Sequence, residues 1–494
     1  LDSLKRLASQ TAVYGMSSVL GRFLNYLLVP LFTYSFAPAQ YGVVAELYAY
    51  MGFLAVLLTF GLETGYFRFR SDGRWPAELV YATSMRVLLA GNLAVFLALL
   101  LGRQPVAEVL RHANHPEYIW WCAAILALDS VGAGAFARLR AENRALRFAS
   151  IKLIEIAANV GLSVFFILVC YRAFLADPRS LLGRLWDPTI GVGYVFLANL
   201  AASVVKLLLL APELRGALRG FDTSLLRRLL RYSLPMVIIG LAGIVNEMLD
   251  RAALKYLLPY DDATNLAQLG IYSACYKLSV LMSLFIQAFR YAGEPFFFAH
   301  AKEADAGHTY ALVLNWFVIC CVLLFLLVTL FLDVFQYFVG AAYREGLGVV
   351  PILLLANLLL GIYINLSIWY KLTDRTLMGA WVTLVGSVVT TALLFWWIPM
   401  YGYVGAAWAH LACYGTMVSL SYALGRRYYP VPYDLSRVVG YTALGVGLYG
   451  ASRLLVTYTP WPAPVIGALL IGLFLGLVYL ADGRRLRRRS LSRD

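Results

Sequence analysis

The stretch LLRYSLPMVIIGLAGIVNEMLDRAALKYLL, residues 229–258, decides the fold. It is apolar and exceeds the roughly 20 residues that a helix needs to cross a bilayer, yet its second half carries Asn246, Glu247, Asp250 and Arg251. At 3.6 residues per turn these four fall on one helical face. A charge at mid-helix costs roughly 2.5 to 3.5 kcal/mol on insertion scales, so such groups face a protein interior or a wet cavity and take partners. The spacing offers Asp250 with Arg251 and Glu247 with Arg251 as local pairs that pin helices together. A polar cavity is the other reading, and it gains weight because neighbouring segments repeat the pattern.

Working outward, 61% of the 494 residues are hydrophobic and 14% charged, with a mean hydropathy of +0.73. That is too apolar for a water-soluble domain of this length, and it predicts an all-α integral membrane protein. Fourteen spans are expected, near 9–35, 41–69, 79–102, 117–137, 149–171, 190–212, 229–258, 266–298, 309–335, 347–370, 376–398, 403–424, 436–457 and 463–482. The overlong first, second, seventh and eighth are expected to tilt, bend or project beyond the lipid. With a cytoplasmic N-terminus, 27 of the 41 Lys and Arg residues lie on the inner side and 8 in outer loops, the other 6 being within spans. Both termini are therefore expected in the cytoplasm. The net charge of +14 is accounted for by this asymmetry and by a tail with Arg484, Arg485, Arg487, Arg488 and Arg489, suited to anionic lipid. It does not point to nucleic acid.

The six cysteines lie in apolar segments without metal-like spacing and read as small core residues. The five histidines do not cluster, and there is no Walker motif or domain to bind ATP. No cofactor or metal is expected. The longest outer loop, about 172–189, has Asp177 and Asp187 but no catalytic constellation. A membrane glycan polymerase is thus a weaker reading than a transporter.

The first expected span brings Gln10, Tyr14, Arg22, Asn25 and Tyr26, with residues 22, 25 and 26 on one face near the bilayer centre. A midplane arginine needs an anion, which Glu46 or Glu63 of the second span is placed to supply. Arg86 and Lys206 are expected to snorkel to the inner interface, with Glu155 near it beside Lys152. The second half then repeats the first in outline. Tyr14 has a counterpart in Tyr232, and Gly42 and Tyr48 match Gly270 and Tyr276 at one common offset. Gly191 with residues 198–201 corresponds to Gly402 with residues 409–412. Units of six spans run in the same direction, so the halves are expected to be related by an axis along the membrane normal. The eighth span carries Lys277 toward the outside and a stripe of Gln287, Arg290, Tyr291 and Glu294 near the inside. The deep charges thus concentrate in the first two spans of each half. The division expected is 1–220 and 221–428 for two six-helix lobes, 429–482 for two extra spans and 483–494 for a basic tail. In the extra spans Gly445, Gly450, Gly472 and Gly476 are expected to permit close helix packing.

Two stretches carry a family likeness: Tyr14-Gly15-Met16 to Pro30-Leu31-Phe32, with Tyr41-Gly42 and Gly61-Leu62-Glu63 to Phe67-Arg68-Phe69, and the later Pro399-Met400-Tyr401-Gly402 with Gly405-Ala406-Ala407. They resemble Wzx-like oligosaccharide flippases of the multidrug/oligosaccharidyl-lipid/polysaccharide exporter superfamily. The resemblance implies a V-shaped pair of lobes, alternating access, a bacterial inner-membrane location and undecaprenyl-pyrophosphate-linked oligosaccharide as cargo between the halves. The two extra spans are similar to those forming a lipid-tail groove in the peptidoglycan-precursor flippase. For such a cargo, Arg22, Lys277 and Arg290 suit the diphosphate, and Asn25, Tyr26, Tyr48, Tyr276, Gln287 and Tyr291 suit the sugar. Glu46, Glu63, Glu247, Asp250, Arg251 and Glu294 are candidates for ion coupling or gating, with H⁺ or Na⁺ as the ion. Peptidoglycan-precursor flippases resemble one another in cavity arginine on the second helix, where this chain has Glu46 and Glu63, so lipid II is a weaker cargo. A cation-coupled drug exporter is a further alternative, disfavoured by the cationic set. A monomer is expected.

Overall fold

The computed structural model describes residues 15, 19–301, 303 and 305–483; Gln10, Tyr14, Met16 and the arginines from Arg484 onward lie outside the described residues. Every regular element among the described residues is a helix. The membrane helices are α1 (residues 19–26 continuing into Leu28–Ser35), α2 (Pro38–Ser71), α3 (Ala77–Leu101), α4 (Pro116–Ala141), α5 (Ala145–Ala176), α6 (Gly193–Leu209) and α7 (Thr223–Leu257). There follow α8 (Asp262–His300), α9 (Ala306–Leu330), α10 (Ala341–Leu372), α11 and α12 (the two arms of Thr376–Tyr428, kinked at Gly402), α13 (Leu435–Tyr458) and α14 (Ala463–Ala481). Among the described residues, ten stretches are long and apolar enough to cross a membrane. The expected fourteen are reached by counting the two arms separately and adding α1, the shorter α6 and the less apolar α13.

Local chemistry sets the helix ends. Pro38 and Pro116 occupy first-turn positions, where no backbone N–H is missed. Asp222 caps α7, its Oδ1 accepting from the Leu225 amide at 2.7 Å; that bond and one from Ser224 hold its carboxyl below the usual carboxylate range. Helix α2 is two helices, Pro38–Leu58 and Leu62–Ser71, broken where Phe60 and Gly61 take positive φ.

By packing, the chain forms two compact units, Leu1–Ser273 and Ala274–Asp494, with the boundary inside α8. This line differs from a six-helix division at residue 220 because α7 lies antiparallel along α2. A Cβ added at Gly65, Gly61 or Gly52 would come within 2.6 Å of Ser233 or Met248 of α7. At the far end of the same seam, a Cβ on Gly42 would lie 2.0 Å from the Leu266 carbonyl oxygen, and one on Gly270 would lie 2.0 Å from that of Pro38. The backbones of α2 and α8 touch there, and only glycine fits.

Within the second unit, Ala356, Trp369, Tyr370, Val382, Cys413, Tyr414 and Met417 form a core between α10 and the α11–α12 pair. Gly445 of α13 packs on Val322 of α9, as expected of a close-packing glycine. Gly450, Gly472 and Gly476 have nothing within 4 Å of an added Cβ, so the Gly472/Gly476 pair makes no helix contact among the described residues. The reason is that α14 reaches α9 through Gly467, against Leu330, on a different face.

Candidate functional site

Lys255 lies one turn beyond Arg251 on α7. Its ammonium donates to Glu46 Oε1 and Oε2 at 2.7 and 2.9 Å and to the Leu110 carbonyl at 2.5 Å. His112 Nε2 sits 2.9 Å from Glu46 Oε2. The Lys255 and Glu46 side chains have no exposed surface. An ion pair between Arg111 and Asp262, and a 3.0 Å hydrogen bond between the Tyr50 and Tyr256 hydroxyls, flank this cluster. Neither Lys255 nor His112 stood out in the sequence, the lysine because it sits at a span end and the histidine because it lies in a loop between expected spans.

The carboxylates expected beside Arg22 are therefore occupied elsewhere. Glu46 belongs to Lys255, and Glu63 takes Arg140 at 2.5 Å. Helix periodicity could not reveal this, because both partners come from other helices. Arg22 and Asn25 are exposed, while Tyr26 is buried. Asn25 accepts a hydrogen bond from Asn159 of α5 at 3.3 Å, and Tyr48 accepts one from Asn199 of α6 at 2.9 Å.

On α7, Asn246, Asp250 and Arg251 are buried. Asp250 Oδ1 lies 3.3 Å from the Arg251 guanidinium, and Tyr272 donates to Oδ2 at 2.6 Å. The expected Glu247–Arg251 ion pair does not form: Arg251 donates to the Glu247 backbone carbonyl at 2.7 Å, and the Glu247 side chain is exposed. Residue 247 is at the edge of the polar face, so its carboxylate points away from the guanidinium's reach.

Lys206 does not snorkel. It is buried and bridges Asp129 Oδ1 at 2.6 Å and Glu155 Oε1 at 2.7 Å, while Lys152 holds the other Glu155 oxygen at 2.9 Å. A desolvated ammonium is tolerated when carboxylates surround it, and two do so here. Asp129 escaped the sequence reading because it stands isolated in the apolar middle of α4, with no other charge between Glu117 and Arg138. Toward the other end of this unit, Arg138 bonds Glu142 and Glu78, and Arg144 and Arg147 both reach the buried Glu213. Burial works to raise the Glu142 carboxyl, but the Arg138 hydrogen bond and charge outweigh it and hold the carboxyl below the usual range. The four arginines between 138 and 147 thus all have carboxylate partners within the fold.

In the second unit, Arg290 is exposed and its guanidinium lies 5.8 Å from the Tyr291 ring centre. Glu294 pairs with Lys371, and these three residues line one recess with Asn365 and Ser367. Tyr276 packs 6.0 Å from the His410 ring; Lys277 and Gln287 are partly exposed. Among the described residues no three His, Cys, Asp or Glu side chains gather as metal ligands. In the 177–190 loop, Asp177 and Asp187 hold turns, each accepting a backbone amide two residues on at 2.9 Å.

Helices of this number, length and hydropathy define a multi-pass membrane protein. The lipid II flippase MurJ in an inward closed conformation superposes with a TM-score of 0.69 at 13% identity, over 95% of this chain and 99% of that one. An inward-facing multidrug resistance MATE family transporter of the MOP superfamily gives 0.65 at 15%, over 85% and 97%. The Vibrio cholerae MATE transporter VcmN in its bent form gives 0.54 at 14%, over 87% and 99%. No curated protein sequence matches the chain. The profile of the polysaccharide biosynthesis protein family matches residues 7–300, and the chain belongs to that family.

Proposed function

We propose that the protein is a flippase carrying undecaprenyl-pyrophosphate-linked oligosaccharide from the cytoplasmic to the outer leaflet of a bacterial inner membrane, by alternating access, for cell-surface polysaccharide biosynthesis. The supporting observation is a contrast among cations on the membrane helices. Lys206, Arg251, Lys255 and Lys371 each hold a carboxylate. Arg22 and Arg290 are exposed on their helices and hold none among the described residues. A guanidinium left unpaired in a span needs an anion from elsewhere, and its planar fork of donors matches a diphosphate. Lys277 adds a point charge. Asn25, Tyr26, Tyr48, Tyr276, Gln287 and Tyr291 are assigned to the sugar. Asp250, with Arg251 and Glu247, is assigned to coupling with H⁺ or Na⁺, and Glu46, Glu63 and Glu294 to the ion pairs that change during transport. The protein acts as a monomer with both termini in the cytoplasm, and needs no nucleotide of its own.

The test is polymer export in cells that depend on this protein. Arg22→Ala and Arg290→Ala should each abolish it at normal membrane levels, and Arg22→Lys should restore it only in part, since an ammonium lacks the fork. Export by both alanine variants would remove the diphosphate role.

A further inference from the structure

We infer that a ladder of polar side chains within the first compact unit is a binding surface for a neutral saccharide, with Asp129, Asn159 and Asn199 as selectivity residues not otherwise assigned. The inference rests on the lipid-linked saccharide reading above and names the residues that meet the sugar. The ladder is continuous across five helices. Asn25 of α1 bonds Asn159 of α5. One turn away on α5, Glu155 bonds Lys206 of α6, and Lys206 together with Ser203 holds Asp129 of α4. One turn from Ser203 on the same helix, Asn199 bonds Tyr48 of α2.

What each rung leaves unspent decides the ligand. In the Asn25–Asn159 pair one amide N–H₂ and one carbonyl oxygen are used, so one of each remains, whichever way the amides are turned. Tyr48 accepts from Asn199, which leaves the phenolic O–H to donate and the Asn199 carbonyl oxygen to accept. Asp129 Oδ1 takes Ser203 at 2.7 Å and Lys206 at 2.6 Å, leaving Oδ2 as an acceptor, and its side chain is 43% exposed. Asn25 is exposed, and Tyr48, Asn159 and Asn199 are partly so. Amides and a carboxylate at mid-helix do not face hydrocarbon, so this surface lines water. A donor beside an acceptor is the complement of neighbouring sugar hydroxyls, each of which can do both.

Charge balance separates a sugar from an ion. The two carboxylates, Asp129 and Glu155, are matched by Lys206 and Lys152. The ladder therefore offers directed hydrogen bonds without a net charge to draw phosphate or metal. Its α1 end lies one turn from Arg22, which puts the diphosphate donor next to the first sugar. Lys206 and Glu155 act as positioning residues that hold Asp129 and the α5–α6 register.

The experiment uses the full chain in lipid nanodiscs and two probes, undecaprenyl diphosphate and undecaprenyl diphosphate carrying a single glucose. The readout is the ratio of their affinities. The wild-type protein should prefer the glucose-bearing lipid by roughly tenfold, the scale of one or two added hydrogen bonds. Asn159→Ala with Asn199→Ala should bring the ratio to within about twofold of one, and Asp129→Asn, which keeps shape, should lower it about threefold. Should the double variant not fold, the two single alanine variants give the same ratio test. A wild-type ratio near one, or a ratio unchanged in the variants, overturns the sugar surface. Failure of the sugar-free lipid to bind instead overturns the diphosphate reading, in its own arm of the experiment.

Discussion

Replacing Lys255 with Met tests whether the α2–α7 seam is held by a buried charge pair or only by shape. The substitution keeps the length and apolar stem of the side chain while removing the ammonium. Glu46 then loses hydrogen bonds of 2.7 and 2.9 Å, and the Leu110 carbonyl loses a third at 2.5 Å. With neither ionic side chain exposed, water cannot replace them without opening the seam. Removing one partner of such a pair costs about 3–5 kcal/mol, because the other charge stays behind. The companion Glu46→Leu/Lys255→Met removes both charges and should recover most of that loss, to within about 1 kcal/mol of the parent. Denaturant titration of the purified protein in micelles, with thermal midpoints alongside, completes the cycle with Glu46→Leu alone. If Lys255→Met costs under about 1 kcal/mol, or the double variant costs the sum of the singles, then the pair is solvated and the reasoning fails.

Gly42→Ala should cost at least about 3 kcal/mol, since its Cβ would meet a backbone oxygen at 2.0 Å that cannot swing aside; Gly472→Ala, in open space, should leave the unfolding free energy within about 1 kcal/mol of the parent. Reporters fused after α14 should read cytoplasmic, and a periplasmic signal there would reverse the orientation drawn from the Lys and Arg asymmetry. Asp250→Asn, which keeps a side-chain oxygen for Tyr272, should slow turnover with substrate binding intact, the defect shrinking when the ion gradient is collapsed. Normal transport by that variant would leave Asp250 as a structural partner of Arg251.

The spans were legible because length and hydropathy are properties of one segment at a time. Even the two arms of Thr376–Tyr428 were separable, since Pro399 and Gly402 punctuate an otherwise unbroken apolar run. Charge partners were legible only when local. Asp250 with Arg251 and Lys152 with Glu155 are near neighbours, and both pairs form. Glu46 with Lys255 and Glu63 with Arg140 join helices distant in the chain, and periodicity says which way a side chain points without saying what waits there. Asp129 shows the same limit. Alone in the apolar middle of α4 it gave no pattern, and its importance emerges only when Lys206 and Ser203 of α6 reach it while Glu155 of α5 holds the same lysine.

The kink at Gly402 bears on how the chain is made. Its φ of 60° and ψ of −144° are open to glycine, and no longer loop separates the arms on either side. From Thr376 to Gly425 there is no Asp, Glu, Lys or Arg, while Arg375 stands before the first arm and Arg426 and Arg427 close the second. Neither arm has a hydrophilic stretch at the turn that could dwell in water while its mate waits to be synthesised. The two should then enter the lipid together as a finished hairpin, which would leave the basic residues at both open ends on the side from which it came.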